Sequence, residues 1–190
     1  GVDQRSCAMT MSGGELIATK SAVKGTITMT GGTLRGEQYG IDGAGTIKGG
    51  NVIGGTYGIN VTGTTTIGTN DENAPLEVPV VQGETYGVYV NSGKTLNYYD
   101  GLLKGKTSGY SGVISSTPDA ALITNRTEAS DDPEHPYVVN YLTGQINFLR
   151  VNGTEYNSFN KALQAATDAD TIEVIADAIV KTSLTIPSGR

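Results

Sequence analysis

Carboxylates are the side chains from which a hydrolytic site would have to be built. Glycoside hydrolysis uses two carboxyl groups about 5 to 9.5 Å apart, one of which acts as a general acid. In the regular part of the sequence the clearest acidic residues are Glu15, Asp42 and Asp100. The sequence also has an 18-residue repeat, and each of these acids falls at a different position within it. Stacking of the repeats therefore does not pair the acids. The sequence therefore predicts no catalytic residues, and a protein that is not an enzyme.

A second acidic group has the composition of a cation site. It consists of Asp131, Asp132, Glu134 and His135. Carboxylates and imidazole bind Ca²⁺ or transition metals. The group lies in a proline-bounded stretch with no scaffold to fix its geometry, and charge runs of this kind are usually solvated. The run from Asp71 to Asn73 lacks the glycine and distal glutamate of a calcium loop. We therefore expect no metal site and no cofactor.

Tyrosines recur in a Tyr-Gly-aliphatic signature that begins at Tyr39, Tyr57 and Tyr86. Aromatic faces stack on sugars, so a tyrosine ladder is a candidate carbohydrate-binding surface. However, each tyrosine precedes an inward aliphatic residue by two positions, and residues two apart on a strand share a face. This parity favours a ladder stacked in the core. Tyr89 and Tyr99 have the opposite parity and are the candidates for an exposed platform that contacts sugars.

Composition excludes several other functions. The chain has 190 residues, 27 of them glycine, and no tryptophan, which together with many threonines, valines and isoleucines favours a mostly β protein. A net charge of -6 argues against nucleic acid as a partner. The sequence contains no apolar run of the roughly 18 to 20 residues that membrane insertion requires. Cys7 is the only cysteine, so the chain has no internal disulfide and no cysteine-based zinc cluster.

The elements that would position these side chains come from an 18-residue repeat. Thr10–Gly14 aligns with Thr28–Gly32 and with Thr46–Gly50. Apolar residues recur in two further columns, which contain Leu16, Leu34 and Val52, and Val23, Ile41 and Ile59. Self-similarity at a fixed period indicates stacked supersecondary units.

Each repeat has the pattern of three short strands joined by corners. Met11, Met29 and Ile47 point to one side of the first strand, and a glycine pair then turns the chain. Three strands that return to their starting point after 18 residues describe one coil of a parallel β-helix, with coils about 4.8 Å apart. A left-handed hexapeptide helix would carry small residues every six positions, and this pattern is absent. The sequence therefore favours a right-handed parallel β-helix.

The repeat is interrupted and then resumes. Pro75 and Pro79 oppose regular structure, so the segment from Gly68 to Glu84 is predicted to form a loop that leaves one face. Tyr86 then re-enters the register, and Asn97–Gly105 overlays Thr46–Gly54 as a fourth coil.

After the repeat, the polar stretch from Ser115 to Pro136 is predicted to be a long loop or linker, followed by a closing strand from Tyr137 to Leu142. Ile146–Tyr156 has the pattern of a hairpin with a type I′ turn at Asn152 and Gly153.

A short helix and two strands are expected to end the sequence. Ser158 can cap a helix whose apolar stripe contains Phe159, Ala162, Leu163 and Ala166. Thr171–Ala176 and Ile179–Pro187 have the pattern of strands.

This C-terminal order of hairpin, helix Tyr156–Leu163, strand and Leu184–Gly189 resembles the opening of a pectin-lyase-like β-helix module in bacterial cell-surface proteins. The earlier coils are similar to threonine- and glycine-rich solenoids of large adhesins. The resemblance implies two units, with residues 1–142 ending one solenoid and residues 143–190 opening a second module. It also implies an extracellular location on the bacterial cell surface.

These observations favour a non-enzymatic adhesion or stalk module whose partner is a host or cell-surface glycan or protein. The alternative is a fragment of a carbohydrate-active β-helix enzyme, either a polysaccharide lyase or a glycoside hydrolase. Open coil ends expose strand edges. We therefore also expect end-to-end self-association through residues near Met9 to Ile17.

Overall fold

The computed structural model describes residues 2–69, 79–115, 120–121, 124–127, 133–141, 147–156, 159–176 and 179–180. The protein is mostly β, and its parallel sheets form a solenoid of about five turns with coils of about 18 residues. This architecture confirms the parallel β-helix predicted from the repeat. The right-handed sense and the boundary between residues 142 and 143 stay predictions.

The strands of the solenoid follow one another in chain order. They are β1 (Val2–Met11), β2 (Glu15–Ala18), β3 (Ser21–Met29), β4 (Thr33–Gly36), β5 (Tyr39–Ile47), β6 (Asn51–Gly54), β7 (Tyr57–Ile67), β8 (Val80–Gly83), β9 (Tyr86–Val90), β10 (Thr95–Tyr98), β11 (Gly101–Gly105) and β12 (Ser108–Ser111). The first sheet has the parallel order β1-β3-β5-β7-β9-β12, and β10 pairs with the second half of β7. The second sheet contains the parallel run β2-β4-β6-β8-β11.

Three apolar ladders fill the interior, because equivalent residues of successive coils pair in register. The ladders are Met11, Met29, Ile47, Ile67 and Tyr98; Leu16, Leu34, Val52, Val81 and Leu103; and Val23, Ile41, Ile59, Val88 and Tyr110. Apart from Leu16 and Tyr110, which are partly buried, all of them are buried in one core. The inward positions predicted from the repeat are therefore confirmed.

The predicted loop from Gly68 to Glu84 is wrong at Val80–Gly83, and its residues 70–78 lie outside the described residues. Val80–Gly83 forms β8, which pairs with β6 and β11 and brings Val81 between Val52 and Leu103. The chain therefore completes one more coil than the sequence pattern indicated, and Ile67 lies between Ile47 and Tyr98. Prolines obscured this strand, since Pro79 immediately precedes its first residue.

Antiparallel strands close the second sheet. The later elements are β13 (Ala120–Ala121), β14 (Thr124–Thr127), β15 (Tyr137–Tyr141), β16 (Leu149–Val151), β17 (Thr154–Tyr156), α1 (Phe159–Ala165), β18 (Glu173–Val174) and β19 (Ile179–Val180). Strand β15 pairs antiparallel with β11, which confirms the predicted closing strand, and β14 pairs with β15. The predicted linker from Ser115 to Pro136 therefore contains two strands, β13 and β14.

The C-terminal segment has a small core of its own. The hairpin β16–β17 turns at Asn152 (φ 49°) and Gly153 (φ 80°), as the type I′ prediction requires. Strand β18 pairs antiparallel with β16 on its other side, so the predicted strand from Thr171 to Ala176 is shorter than expected. Helix α1 confirms the predicted helix, and Ala162 on its apolar face is buried. The predicted cap Ser158 and residues 181–190 lie outside the described residues.

The predicted self-association region, Met9 to Ile17, lies at an edge of both sheets. Strand β1 is the first strand of one sheet and β2 the first strand of the other. Ile17 on β2 is 65% exposed. Self-association through this edge stays a prediction.

A buried hydroxyl marks one weak point of the core. Thr65 on β7 is only 1% exposed, and its Oγ1 has no hydrogen-bond partner among the described residues. An unsatisfied buried hydroxyl costs free energy, and valine has the same shape without it. Thr65→Val is therefore expected to raise the free energy of unfolding by about 1 kcal/mol, measured by urea denaturation.

The neighbouring residue provides the control for this substitution. Thr66 is partly exposed, and its Oγ1 accepts a hydrogen bond from Asn97 Nδ2 at 3.3 Å. Thr66→Val is expected to leave stability unchanged or slightly lowered, because it removes a satisfied hydroxyl. Destabilisation by Thr65→Val would mean that the Thr65 hydroxyl has a partner after all.

Candidate functional site

The signature tyrosines lie on the outside of the solenoid, not in the core as parity predicted. Tyr39 is partly exposed, whereas Gly40 and Ile41 after it are both buried. Strands β7 and β9 repeat this pattern, so Tyr57 and Tyr86 are partly exposed as well. The prediction of a tyrosine ladder in the core is therefore wrong.

The physical reason is the glycine that follows each tyrosine. A Cβ on Gly40 would lie 2.6 Å from Cγ1 of the core residue Val52, so this position faces inward and has no room for a side chain. Ile41 also points inward, and two consecutive inward residues break the two-residue alternation of a strand. Parity counted backwards from Ile41 therefore assigns Tyr39 to the wrong face.

Four tyrosines form a stack along the solenoid, which we call the tyrosine stack: Tyr39, Tyr57, Tyr86 and Tyr89. The ring centroids of Tyr39 and Tyr57 are 5.5 Å apart with an interplanar angle of 13°. Those of Tyr57 and Tyr89 are 4.7 Å apart at 11°, and those of Tyr57 and Tyr86 are 5.8 Å apart at 30°. Tyr57 is thus the shared member of three ring contacts.

The stack ends at a serine on each side. Ser21 pairs in register with Tyr39, and Ser108 pairs with Tyr86. The coils that contain Ser21 and Ser108 therefore do not continue the series of rings. Both serines are partly exposed, so short hydroxyl side chains lie where a further tyrosine would extend the stack.

A row of polar side chains borders the tyrosine stack. Asn60 Nδ2 donates to Asp42 Oδ1 at 2.8 Å, and Asn91 Nδ2 donates to Asn60 Oδ1 at 2.8 Å. Asp42 follows Tyr39 by three residues on the same strand, and Asn60 pairs in register with Tyr89. Aromatic rings and hydrogen-bonding groups therefore share one outer surface. Asn60 and Asn91 were not predicted as site residues from the sequence, although Asn60 stands 18 residues after Asp42, one repeat period further along.

The phenol of Tyr57 is held in its neutral form. Burial raises the pKa of Tyr57 above its usual value, and the neighbouring phenols of Tyr89, Tyr39 and Tyr86 raise it further. A phenol that stays protonated keeps its hydroxyl available as a hydrogen-bond donor.

The two tyrosines predicted from parity have different positions. Tyr89 is partly exposed and belongs to the tyrosine stack. Tyr99 is also partly exposed but follows β10, and its backbone N–H donates to the carbonyl of Ile67 at 2.8 Å. The structure thus places Tyr89 in the tyrosine stack and Tyr99 between β10 and β11.

The candidate catalytic carboxylates are in separate environments. Glu15 lies 3.8 Å from the guanidinium of Arg35, at the surface. Asp42 belongs to the polar row, and the buried Asp100 accepts a hydrogen bond from the backbone N–H of Gly101 at 2.7 Å. Each carboxylate therefore has a local partner.

His135 is not the solvated linker residue that the sequence suggested. It is 5% exposed, and its Nε2 lies 3.3 Å from Glu84 Oε1 and 3.4 Å from Gln82 Nε2. A hydrogen bond from Lys106, at 2.6 Å, holds the pKa of Glu84 below its usual range. The strand β15 begins two residues after His135, so closure of the second sheet brings this side chain against β8.

The remaining site predictions concern metals and membranes. Asp131, Asp132 and the run from Asp71 to Asn73 lie outside the described residues. In the part of the chain that the structure describes, no cluster of histidine, cysteine, aspartate or glutamate could hold a metal ion. Likewise, none of the described helical segments has the length and apolar character needed to cross a bilayer.

Comparison of the chain with protein-family models, with curated proteins and with solved structures gives no match. The structure supports the β-solenoid itself. The likeness to pectin-lyase-like modules and to adhesins therefore stays a hypothesis.

Proposed function

We propose that this chain is a non-enzymatic adhesion or stalk module of a bacterial cell-surface repeat protein, and that it binds a glycan on the tyrosine stack. The observation that carries the proposal is the tyrosine stack itself, which lies on the outer surface beside the row of Asp42, Asn60 and Asn91. The proposed location is extracellular, and the proposed partner is a glycan of a host or neighbouring cell.

The chemistry of a saccharide explains why this surface suits it. A pyranose ring has an apolar face of C–H groups that packs on aromatic rings, and hydroxyls around its edge that need hydrogen-bond partners. Rings inside the tyrosine stack cover each other's faces, so the outer faces of the rings at its ends offer the first kind of contact. Asp42 accepts hydrogen bonds, and the amides of Asn60 and Asn91 both donate and accept them.

The ends of the stack favour a saccharide further. At Ser21 and Ser108 a small hydroxyl side chain replaces the tyrosine of the neighbouring coil. A sugar placed there would continue the series of rings against Tyr39 or Tyr86, with a serine hydroxyl within the same surface. Binding residues on a rigid repeat scaffold are also pre-organised, which lowers the entropic cost of association.

The test is a glycan array probed with the purified chain, together with a depolymerisation assay on the same polysaccharides. We expect binding without cleavage. Tyr89→Ala is expected to weaken binding about 30-fold, which corresponds to the roughly 2 kcal/mol of an aromatic hot spot. Tyr99→Ala is the matched control, because Tyr99 is partly exposed but follows another strand.

Three outcomes would contradict the proposal. Cleavage of a polysaccharide would favour the alternative of a carbohydrate-active enzyme fragment. Loss of binding in Tyr99→Ala with full binding in Tyr89→Ala would move the site away from the tyrosine stack. If the wild-type chain neither bound nor cleaved any glycan, the chain would be a stalk without a glycan site. Circular dichroism of each variant verifies that the solenoid is intact.

A further inference from the structure

We propose that Tyr57 and Tyr89 form an oxidative cross-linking site, at which a peroxide-dependent one-electron oxidant joins the two rings as dityrosine. The site does not depend on glycan binding. It rests on the geometry of the closest ring pair in the tyrosine stack, whose centroids are 4.7 Å apart with an interplanar angle of 11°.

The parallel orientation of the two rings is the productive one for coupling. Two phenoxyl radicals join through ring carbons ortho to the oxygen, and the new bond forms from π orbitals that point perpendicular to each ring. Rings that face each other in parallel planes therefore direct these orbitals towards one another. A reaction between groups that are already held together and aligned gains a large effective concentration.

The atoms and electrons of the step balance with hydrogen peroxide as the oxidant. Each phenol loses one electron and one proton, the two radicals form a carbon–carbon bond, and the hydrogen of each joined carbon then moves as a proton to the oxygen of its own ring, which restores a phenol. Overall, two tyrosines and one hydrogen peroxide give one dityrosine and two molecules of water. A haem peroxidase is the class of catalyst that generates the radicals.

The position of the pair gives the cross-link a structural effect. Tyr57 is the first residue of β7 and Tyr89 belongs to β9, which are adjacent strands on successive coils. Both rings are partly exposed, so they are accessible to an oxidant at the surface of the solenoid. A bond between them would join two coils covalently in a chain whose single cysteine cannot form an internal disulfide.

The test uses dilute protein, a haem peroxidase and hydrogen peroxide, followed by digestion with trypsin and a glutamate-specific protease. Residues 49–72 then form a peptide with Tyr57 as its only tyrosine, and residues 85–94 form one with Tyr86 and Tyr89. We expect these two peptides to be joined, with the loss of two hydrogen atoms and the blue fluorescence of dityrosine. Tyr89→Phe is expected to lose this product, whereas Tyr99→Phe retains it.

Either of two results would overturn the assignment. The joined peptide persisting at the wild-type amount in Tyr89→Phe would make Tyr86 the partner of Tyr57. Products involving Tyr99 or Tyr110 in equal amounts, or cross-links only between chains, would mean that the stacked geometry does not direct the reaction. Phenylalanine keeps the ring in place, so neither variant is expected to unfold the solenoid.

Discussion

Gly54→Ala is expected to lower the free energy of unfolding by roughly 3 kcal/mol, the upper range for overpacking a tight site. A Cβ at Gly54 would overlap the backbone carbonyl oxygen of Tyr57 and would lie 2.6 Å from its carbonyl carbon. Backbone atoms cannot move aside as the end of a flexible side chain can. Urea denaturation followed by circular dichroism measures the change.

The same substitution at an open glycine is the control. A Cβ at Gly13 would meet nothing within 4 Å, and Gly13 is not among the residues with positive φ. Gly13→Ala is expected to leave stability unchanged or to raise it by up to about 1 kcal/mol, because alanine has less freedom in the unfolded chain. Equal effects of the two substitutions would mean that the corner at Gly54 accommodates a side chain.

Tyr98→Ala is expected to cost about 3 to 5 kcal/mol of unfolding free energy, as for other large aromatic side chains removed from a core. Tyr98 is fully buried and continues the ladder below Ile67. Its hydroxyl donates a hydrogen bond to the carbonyl of Gly101 at 2.6 Å. The substitution therefore leaves both a cavity and a buried carbonyl without this donor.

A second variant separates the two contributions. Tyr98→Phe keeps the ring and removes only the hydroxyl, so it is expected to cost about 1 to 2 kcal/mol. Tyr99→Ala, at the partly exposed neighbouring residue, is expected to cost less than Tyr98→Ala. A loss in Tyr98→Phe as large as in Tyr98→Ala would show that the hydroxyl, and not the packing of the ring, dominates.

The repeat made the fold predictable because the buried apolar residues must recur at the same position of every coil. Met29, Leu34 and Val23 could be assigned to the interior from the 18-residue period alone, and they lie there. The prediction failed where prolines hid the repeat and where the chain left the repeat. Strand β8 follows a proline-containing insertion, and β14 pairs with another closing strand instead of extending the repeat.

The candidate site was harder to predict because its position depends on one break in the inward–outward alternation of side chains along each strand. The pattern from Tyr39 to Ile41 permits either face for the tyrosine, and only the packing of Gly40 against the core decides between them. Ring contacts between coils, such as that of Tyr57 with Tyr89, also depend on side-chain orientation. Sequence spacing gives the column of a residue but not the direction in which its ring leans.

The solenoid keeps its register across the interruption of the repeat between β7 and β8. The backbone N–H of Gly68 donates to the carbonyl of Ile47, and that of Val80 donates to the carbonyl of Gly50, so the chain rejoins the next coil in place. Loop closure becomes only slowly more costly as a loop lengthens. A foreign peptide that replaces the sequence between Thr69 and Pro79 is therefore expected to leave the coils on either side unchanged.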